Sequence, residues 1–186
     1  RVDAFQRFDA ALQAGDTAAV EQRLPLAYAR MADVELEVTF ATLFADQLAR
    51  LPLTGDAARI AYDMGLLSPN YARLYKSPHA PQDVRGRFLS GLASGSVKGL
   101  GAPDSMARAI APAFDGSEVV LSDDARLLLE QARIGEALLL AMERIEIGLH
   151  GEMGKLTEGL ALLNKLGLDD TARRTALELM LLERRG

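Results

Sequence analysis

His79 and His150 are the only histidines in the chain, and there is no cysteine. That narrows the chemistry at once. Thiolate catalysis, disulfides and cysteine-bound zinc are excluded, although a cysteine-free chain works in either redox compartment. Neither histidine has a nucleophile at motif spacing, and both are expected in loops. His150 stands four residues after Glu146, with Glu143 a further turn back. On one unbroken helix these three side chains would share a face, as ligands do in carboxylate bundles. Gly148 and Gly151 are expected to break that helix, the Glu-x-x-His signature is absent, and no second copy supplies further ligands. The expectation is a solvated helix end and no metal.

The glycine-rich run Gly91–Gly101 contains Lys98 and invites comparison with a phosphate-binding loop. A Walker loop needs Gly-x-x-x-x-Gly-Lys-Ser/Thr between a strand and a helix. Here Val97 precedes the lysine and the residues before it read as helical, so a helix–helix connector is expected. Asp33, Glu35, Glu37 and Asp46 form an acidic flank that reads as a solvated face. No residue is assigned a catalytic, cofactor-binding or metal-binding role. Tyr71, Arg73, Tyr75 and His79, close to Lys76 and Ser77-Pro78, gather polar aromatics and cations of the kind that anchor protein interfaces. They are the expected partner-binding residues.

The elements that must carry these groups are helices. Of 186 residues 49% are hydrophobic, only 5% are aromatic and none is Trp. The apolar mass is leucine and alanine, which suit close helix packing. The net charge of −5 and the lack of a basic stripe argue against nucleic acid as a partner. The tight basic clusters, Arg173/Arg174 and Arg184/Arg185, are expected late in a helix, where cations suit the dipole. No apolar run reaches the roughly 18–20 residues of a membrane span, and no signal peptide is visible. The chain opens on Arg1 within an already helical pattern. It is therefore expected to be the C-terminal part of a longer chain, cytoplasmic or periplasmic according to what precedes it.

Periodicity predicts about ten helices joined by tight turns. Val2–Ala14 ends at Gly15, and Asp16 caps a short helix to Leu24. Pro25 opens another, and Leu26–Leu51 is one helix or two, with Asp33 a possible cap. Gly55-Asp56 repeats the Gly15-Asp16 pattern before a helix that Gly65 stops. Ser68-Pro69 caps a turn through Tyr71 and Tyr75. Helices follow at Asp83–Ala93, from Asp104 to Ala111, at Asp123–Arg133 and at Glu136–Ile147, with Val119–Leu121 extended at most. The chain closes on a helical hairpin, Lys155–Leu166 and the helix capped by Asp169. Gly167 stops the first arm in a left-handed conformation, and Leu168 folds back on Leu163. Gly15, Gly55, Gly95 and Gly135 recur at about forty residues, a spacing typical of helical solenoids.

The stretch Gly167-Leu168-Asp169-Asp170-Thr171-Ala172-Arg173, with Ala176-Leu177 after it, resembles the junctions of tetratricopeptide-type α-solenoids. The likeness covers the last quarter of the chain. The aromatic and glycine marks at the family's period of about 34 residues are absent. What the resemblance implies is a surface that binds proteins or peptides. The expectation is one all-α domain over residues 1–186, of stacked antiparallel helix hairpins forming an α-solenoid or irregular superhelix. Its expected function is protein–protein interaction or scaffolding, without catalysis or cofactor. The alternatives are an all-helical enzyme or enzyme accessory domain, with its site among Tyr62–His79 and Glu143–Glu152, or a small-ligand carrier.

Overall fold

Four of the six phenylalanines meet in one place. Phe5 and Phe8 lie three apart on one helix, Phe40 and Phe44 four apart on another, so each pair shares a face. In the computed structural model, which describes residues 2–182, the rings pack at centroid distances of 5.0 to 6.2 Å. Edge-on and tilted contacts of this kind add about 0.5–1.5 kcal/mol each to simple burial. They join α1 (Val2–Gln13) to α3 (Glu37–Leu48). Around them stand α2 (Thr17–Ala32), α4 (Gly55–Leu67) and the single turn α5 (Tyr71–Leu74). Together these five helices form one compact unit, which ends at Gln82.

The second unit begins at Asp83. It holds α6 (Val84–Ser94), α7 (Ser105–Ile110), a 3-10 turn at Ala111–Ala113, α8 (Asp123–Glu130), α9 (Ile134–Leu149), α10 (Met153–Lys165) and α11 (Asp169–Leu181). At its centre is α10, packed against α7, the 3-10 turn, α9 and α11. Leu156, Leu160, Leu162 and Leu163 are buried on it. Among the described residues there is no strand; Val119–Leu121 is irregular backbone.

Hairpin contacts between neighbouring helices are present at α1–α2, α3–α4, α8–α9, α9–α10 and α10–α11. An α-solenoid is not shown. Each repeat of a solenoid touches only its neighbours, whereas α11 returns to pack on α6 and α7 within its own unit. The four glycines spaced by forty also differ in role. Gly15 and Gly95 follow the ends of helices, while Gly55 and Gly135 sit at the starts of α4 and α9.

Several expected stops lie inside helices. Pro25 falls within α2, which runs unbroken from Thr17 to Ala32. Proline in a helix interior costs about 3 kcal/mol. Val20, Leu24 and Ala27 on the same helix are fully buried, and burying a Val or Leu side chain returns about 1.5–3 kcal/mol each. Packing across the proline therefore outweighs the lost hydrogen bond. Asp33 follows the C-terminus of α2 and caps nothing after it. Gly65 lies within α4 because α5 comes close: a Cβ there would stand 3.3 Å from the Cβ of Leu74. Ser68 closes α4, its hydroxyl donating to the Gly65 carbonyl at 2.8 Å. Arg173 and Arg174 sit in the middle of α11, away from its last turn, and Arg184 and Arg185 lie outside the described residues.

The caps expected at Asp16 and Asp104 are present, accepting from the amides of Ala19 at 3.0 Å and Ala107 at 2.8 Å. Asp169 is instead the first residue of α11 and makes no side-chain cap. Gly167 does close α10 as expected, with φ 74°. Its N–H donates to Asn164 and that of Leu168 to Leu163, both at 3.0 Å. The same paired ending recurs at Glu35 (φ 55°) and Ala132 (φ 54°), where a side chain occupies the left-handed position. A Cβ there is strained by about 1–2 kcal/mol, partly offset by the greater chain entropy that glycine loses on folding. Ala132→Gly is expected to raise stability by about 0.5–1 kcal/mol and Gly167→Ala to lower it by about 1 kcal/mol. Urea denaturation of the two variants measures both; equal midpoints would remove the left-handed assignment.

Candidate functional site

A helix rich in large apolar side chains is expected to bury most of them, and α9 is one by sequence. Ile134, Leu138, Leu139, Leu140, Met142, Ile145, Ile147 and Leu149 outnumber its four charged residues, Glu136, Glu143, Arg144 and Glu146. Yet only Ala137, Ala141 and Gly148 of its sixteen residues are buried. The cause is the seam with α10. A Cβ on Gly148 would stand 2.5 Å from the Cβ of Leu156, and one on Gly159 would stand 2.7 Å from the carbonyl oxygen of Ala141. The backbones approach through small residues; Ile145 packs against Gly159 within the seam, Leu138, Leu140 and Ile147 are half-buried, and other large side chains of α9 are left on its outer side. Leu139 is 66% exposed and Met142 59%. Ile134, Leu149 and, on α8, Leu127 are exposed as well. Between α8 and α9 runs a shallow groove of about 470 Å³, lined by Leu128, Leu139, Leu140, Glu136 and Glu143. A single exposed leucine means little; several large apolar side chains on one helix, with Leu139 lining a groove, make this face the candidate site.

Gly148 does not break α9, contrary to the sequence expectation, because the seam with Leu156 needs a residue without a side chain there. Glu143 and Glu146 both stand exposed on it. His150, the residue after the helix, has its Nδ1 2.8 Å from the Glu146 carbonyl oxygen and donates to it. Among the described residues no group of three or more His, Asp or Glu side chains is placed to hold a metal.

The four residues expected to bind a partner lie on and after α5. Tyr71 is 2% exposed and belongs to the core of the first unit. Arg73 is exposed and pairs with Asp46 at 2.6 Å, and Asn70 donates to the same carboxylate at 2.8 Å. Tyr75 is half-buried beneath the Lys76 ammonium, 5.4 Å from the ring centre, and its carbonyl accepts from the Tyr62 hydroxyl. The Nε2 of His79 is buried without a hydrogen-bond partner among the described residues. Of the acidic flank, Asp33 pairs with Arg30 at 3.1 Å.

The glycine-rich run packs as a connector. Val97 is buried and its N–H donates to the Phe114 carbonyl at 3.0 Å. Gly91 leaves room for the loop, since a Cβ would stand 2.6 Å from the Leu100 side chain. Beside it a polar cleft of about 460 Å³ is lined by Ser94, Phe114, Asn164, Asp169 and Arg173, among others. The sequence offered no motif for that cleft, whose lining comes from four separate stretches.

Glu158 on α10 is a buried carboxylate that no motif pointed to; its one sequence signal is a charge within the apolar run from Leu156 to Leu163. It accepts the Ser122 N–H at 2.8 Å and the Ser122 hydroxyl, and lies 3.4 Å from both Lys155 and Arg144. Arg144 in turn reaches Asp124 at 2.8 Å. Burial acts to raise the Glu158 pKa. The two bonds from Ser122 and the charges of Lys155 and Arg144 outweigh it and hold the carboxyl below its ordinary value. A carboxylate so fully engaged is a poor base. Its work is to satisfy the first N–H before α8 and to hold that helix to α10.

No described helix is long and apolar enough to cross a membrane. No protein-family model, curated protein or solved structure matches the chain.

Because the folded pKa of Glu158 lies below the ordinary value of 4.5, its contribution to stability is whole above that pH. It is lost as pH falls through the lower folded value. Glu158→Gln is expected to cost about 1–3 kcal/mol at pH 7. Its denaturation midpoint should also fall less steeply than the wild type's below pH 4.5. Parallel pH profiles would show that Glu158 is not held ionised by these contacts.

Proposed function

We propose that this chain is a protein-interaction or scaffold module with no catalysis of its own, and that it meets another protein or peptide through the outer face of α8 and α9. The observation that carries this reading is the exposure of Leu139 and Met142, 66% and 59%, on a helix whose buried side is alanine and glycine. Large apolar side chains facing water beside a groove contribute little to the chain's own fold. They contribute fully when a partner covers them. The helical-repeat reading belongs to this proposal, supported by the neighbouring hairpins and their shared turn at Glu35, Ala132 and Gly167.

Arg73, Tyr75 and His79 are proposed as contributors to a second contact patch, with Tyr71 fixing that segment from inside. Support comes from the exposure of Arg73. The small-ligand alternative rests on a different observation, the cleft of about 460 Å³ with the Arg173 guanidinium at its edge.

The test is chemical crosslinking from introduced cysteines at exposed positions, in the source cell, followed by substitution. Crosslinks to one protein from Leu139→Cys and Met142→Cys, lost when Leu149→Asp is added, are the expected result. Crosslinks confined to Arg73→Cys, with none from α9, would move the interface to the α5 segment. An absence of crosslinks from either place, with a small molecule retained at the Arg173 cleft, would favour the carrier.

A further inference from the structure

The outer face of α8 and α9 is acidic as well as apolar. Residues 123–152 carry seven Asp and Glu side chains against three arginines, which accounts for most of the chain's net charge of −5. The three arginines are already committed. Arg126 pairs with Asp123 and Arg133 with Glu136, each its own neighbour on the helix. Arg144 is turned inward to Asp124 and Glu158, with its side chain 14% exposed. Glu130, Glu143, Glu146 and Glu152 are exposed and have no ion-pair partner among the described residues. The large apolar side chains are thus rimmed by uncompensated carboxylates, and Glu143 also lines the groove beside Leu139.

We infer that the partner presents a cationic amphipathic helix, an inference that rests on the α8–α9 face being an interface at all. The apolar stripe of such a helix, with leucine-sized residues at i, i+3, i+4 and i+7, would lie along the groove between Leu128 and Leu139. Its flanking Lys or Arg side chains would reach Glu143 and Glu146. Charge complementarity of this kind steers encounter and rejects wrong partners. It also argues against other occupants of the same face. A second copy of this chain, docked about a two-fold axis, would set this same acidic face against itself. Anionic lipid and nucleic acid are repelled by the same carboxylates.

The probe is a fluorescein-labelled synthetic helix with leucines at i, i+3, i+4 and i+7 and lysines on its flanks, followed by anisotropy. The first control replaces each lysine by glutamate. The second scrambles the order at the same composition. The whole 186-residue chain is used throughout, and each variant is checked by its melting curve. The lysine helix is expected to bind at least about tenfold more tightly than either control, a difference of about 1.4 kcal/mol. Its binding should weaken as salt rises. Leu139→Asp, at an exposed position, should weaken binding about tenfold or more. Glu143→Lys combined with Glu146→Lys should transfer the preference to the glutamate-flanked helix. Equal binding of the lysine and glutamate helices to the wild type would overturn the cationic inference and leave the docking face standing. Binding of the scrambled peptide as tight as the ordered one, no effect of Leu139→Asp, or no binding of either helix would overturn the docking face itself.

Discussion

The close approach of α9 to α10 is the constraint on which the second unit depends. Gly148 and Gly159 are each placed where a Cβ would stand well inside van der Waals contact with the facing helix. Interiors are packed as tightly as organic crystals, so a misfit of this size cannot be absorbed by a small shift. The seam brings Leu156 and Leu160 into the core and fixes α10 at the centre, with α7 and α11 around it. It also decides the character of the surface. A helix that packs largely by its small residues has large ones left over, and on α9 Ile134, Leu139, Met142 and Leu149 face water.

The electrostatics follow the same geometry. Glu158 can be buried because α8 presents Ser122 to it and α9 brings Arg144 beside it. That arrangement draws one of three local arginines inward and leaves the carboxylates of the outer face without a counter-charge. The tie of Ser122, before α8, to Glu158 on α10 and the acidity of the exposed face are therefore linked through one side chain, Arg144. A change at that position would be felt on both sides.

The helical class was legible in the sequence, as were the caps at Asp16 and Asp104 and the left-handed turn at Gly167. Each is a local signal, carried by residues within a few positions of one another. Pro25, Gly65 and Gly148 misled because each weakens a helix locally while a distant contact favours its continuation. Gly65 answers to Leu74, and Gly148 answers to Leu156, neither of which local propensity can register. Tyr71, an expected partner-binding residue, is buried in the core of the first unit, and its spacing from Leu74 within α5 carries no signal of that. The candidate surface on α9 was hidden for another reason. Its large apolar residues outnumber its charged ones and lie on several sides, and the usual rule turns the large residues inward. Only the identity of the facing helix, with Gly159 opposite Ala141, shows that the small residues are inside.

The central claim is that the small-residue side of α9 builds the fold while its large-residue side is free for another molecule. The most direct measurement is equilibrium urea denaturation of the triple variant Leu139→Gln, Met142→Gln, Leu149→Gln beside the wild type. If the claim holds, the unfolding free energy changes by no more than about 0.5 kcal/mol per substitution, as at ordinary surface positions. A loss of about 2–5 kcal/mol per substituted residue, the scale of a core deletion, would mean that this face is part of the chain's own core and would contradict the account.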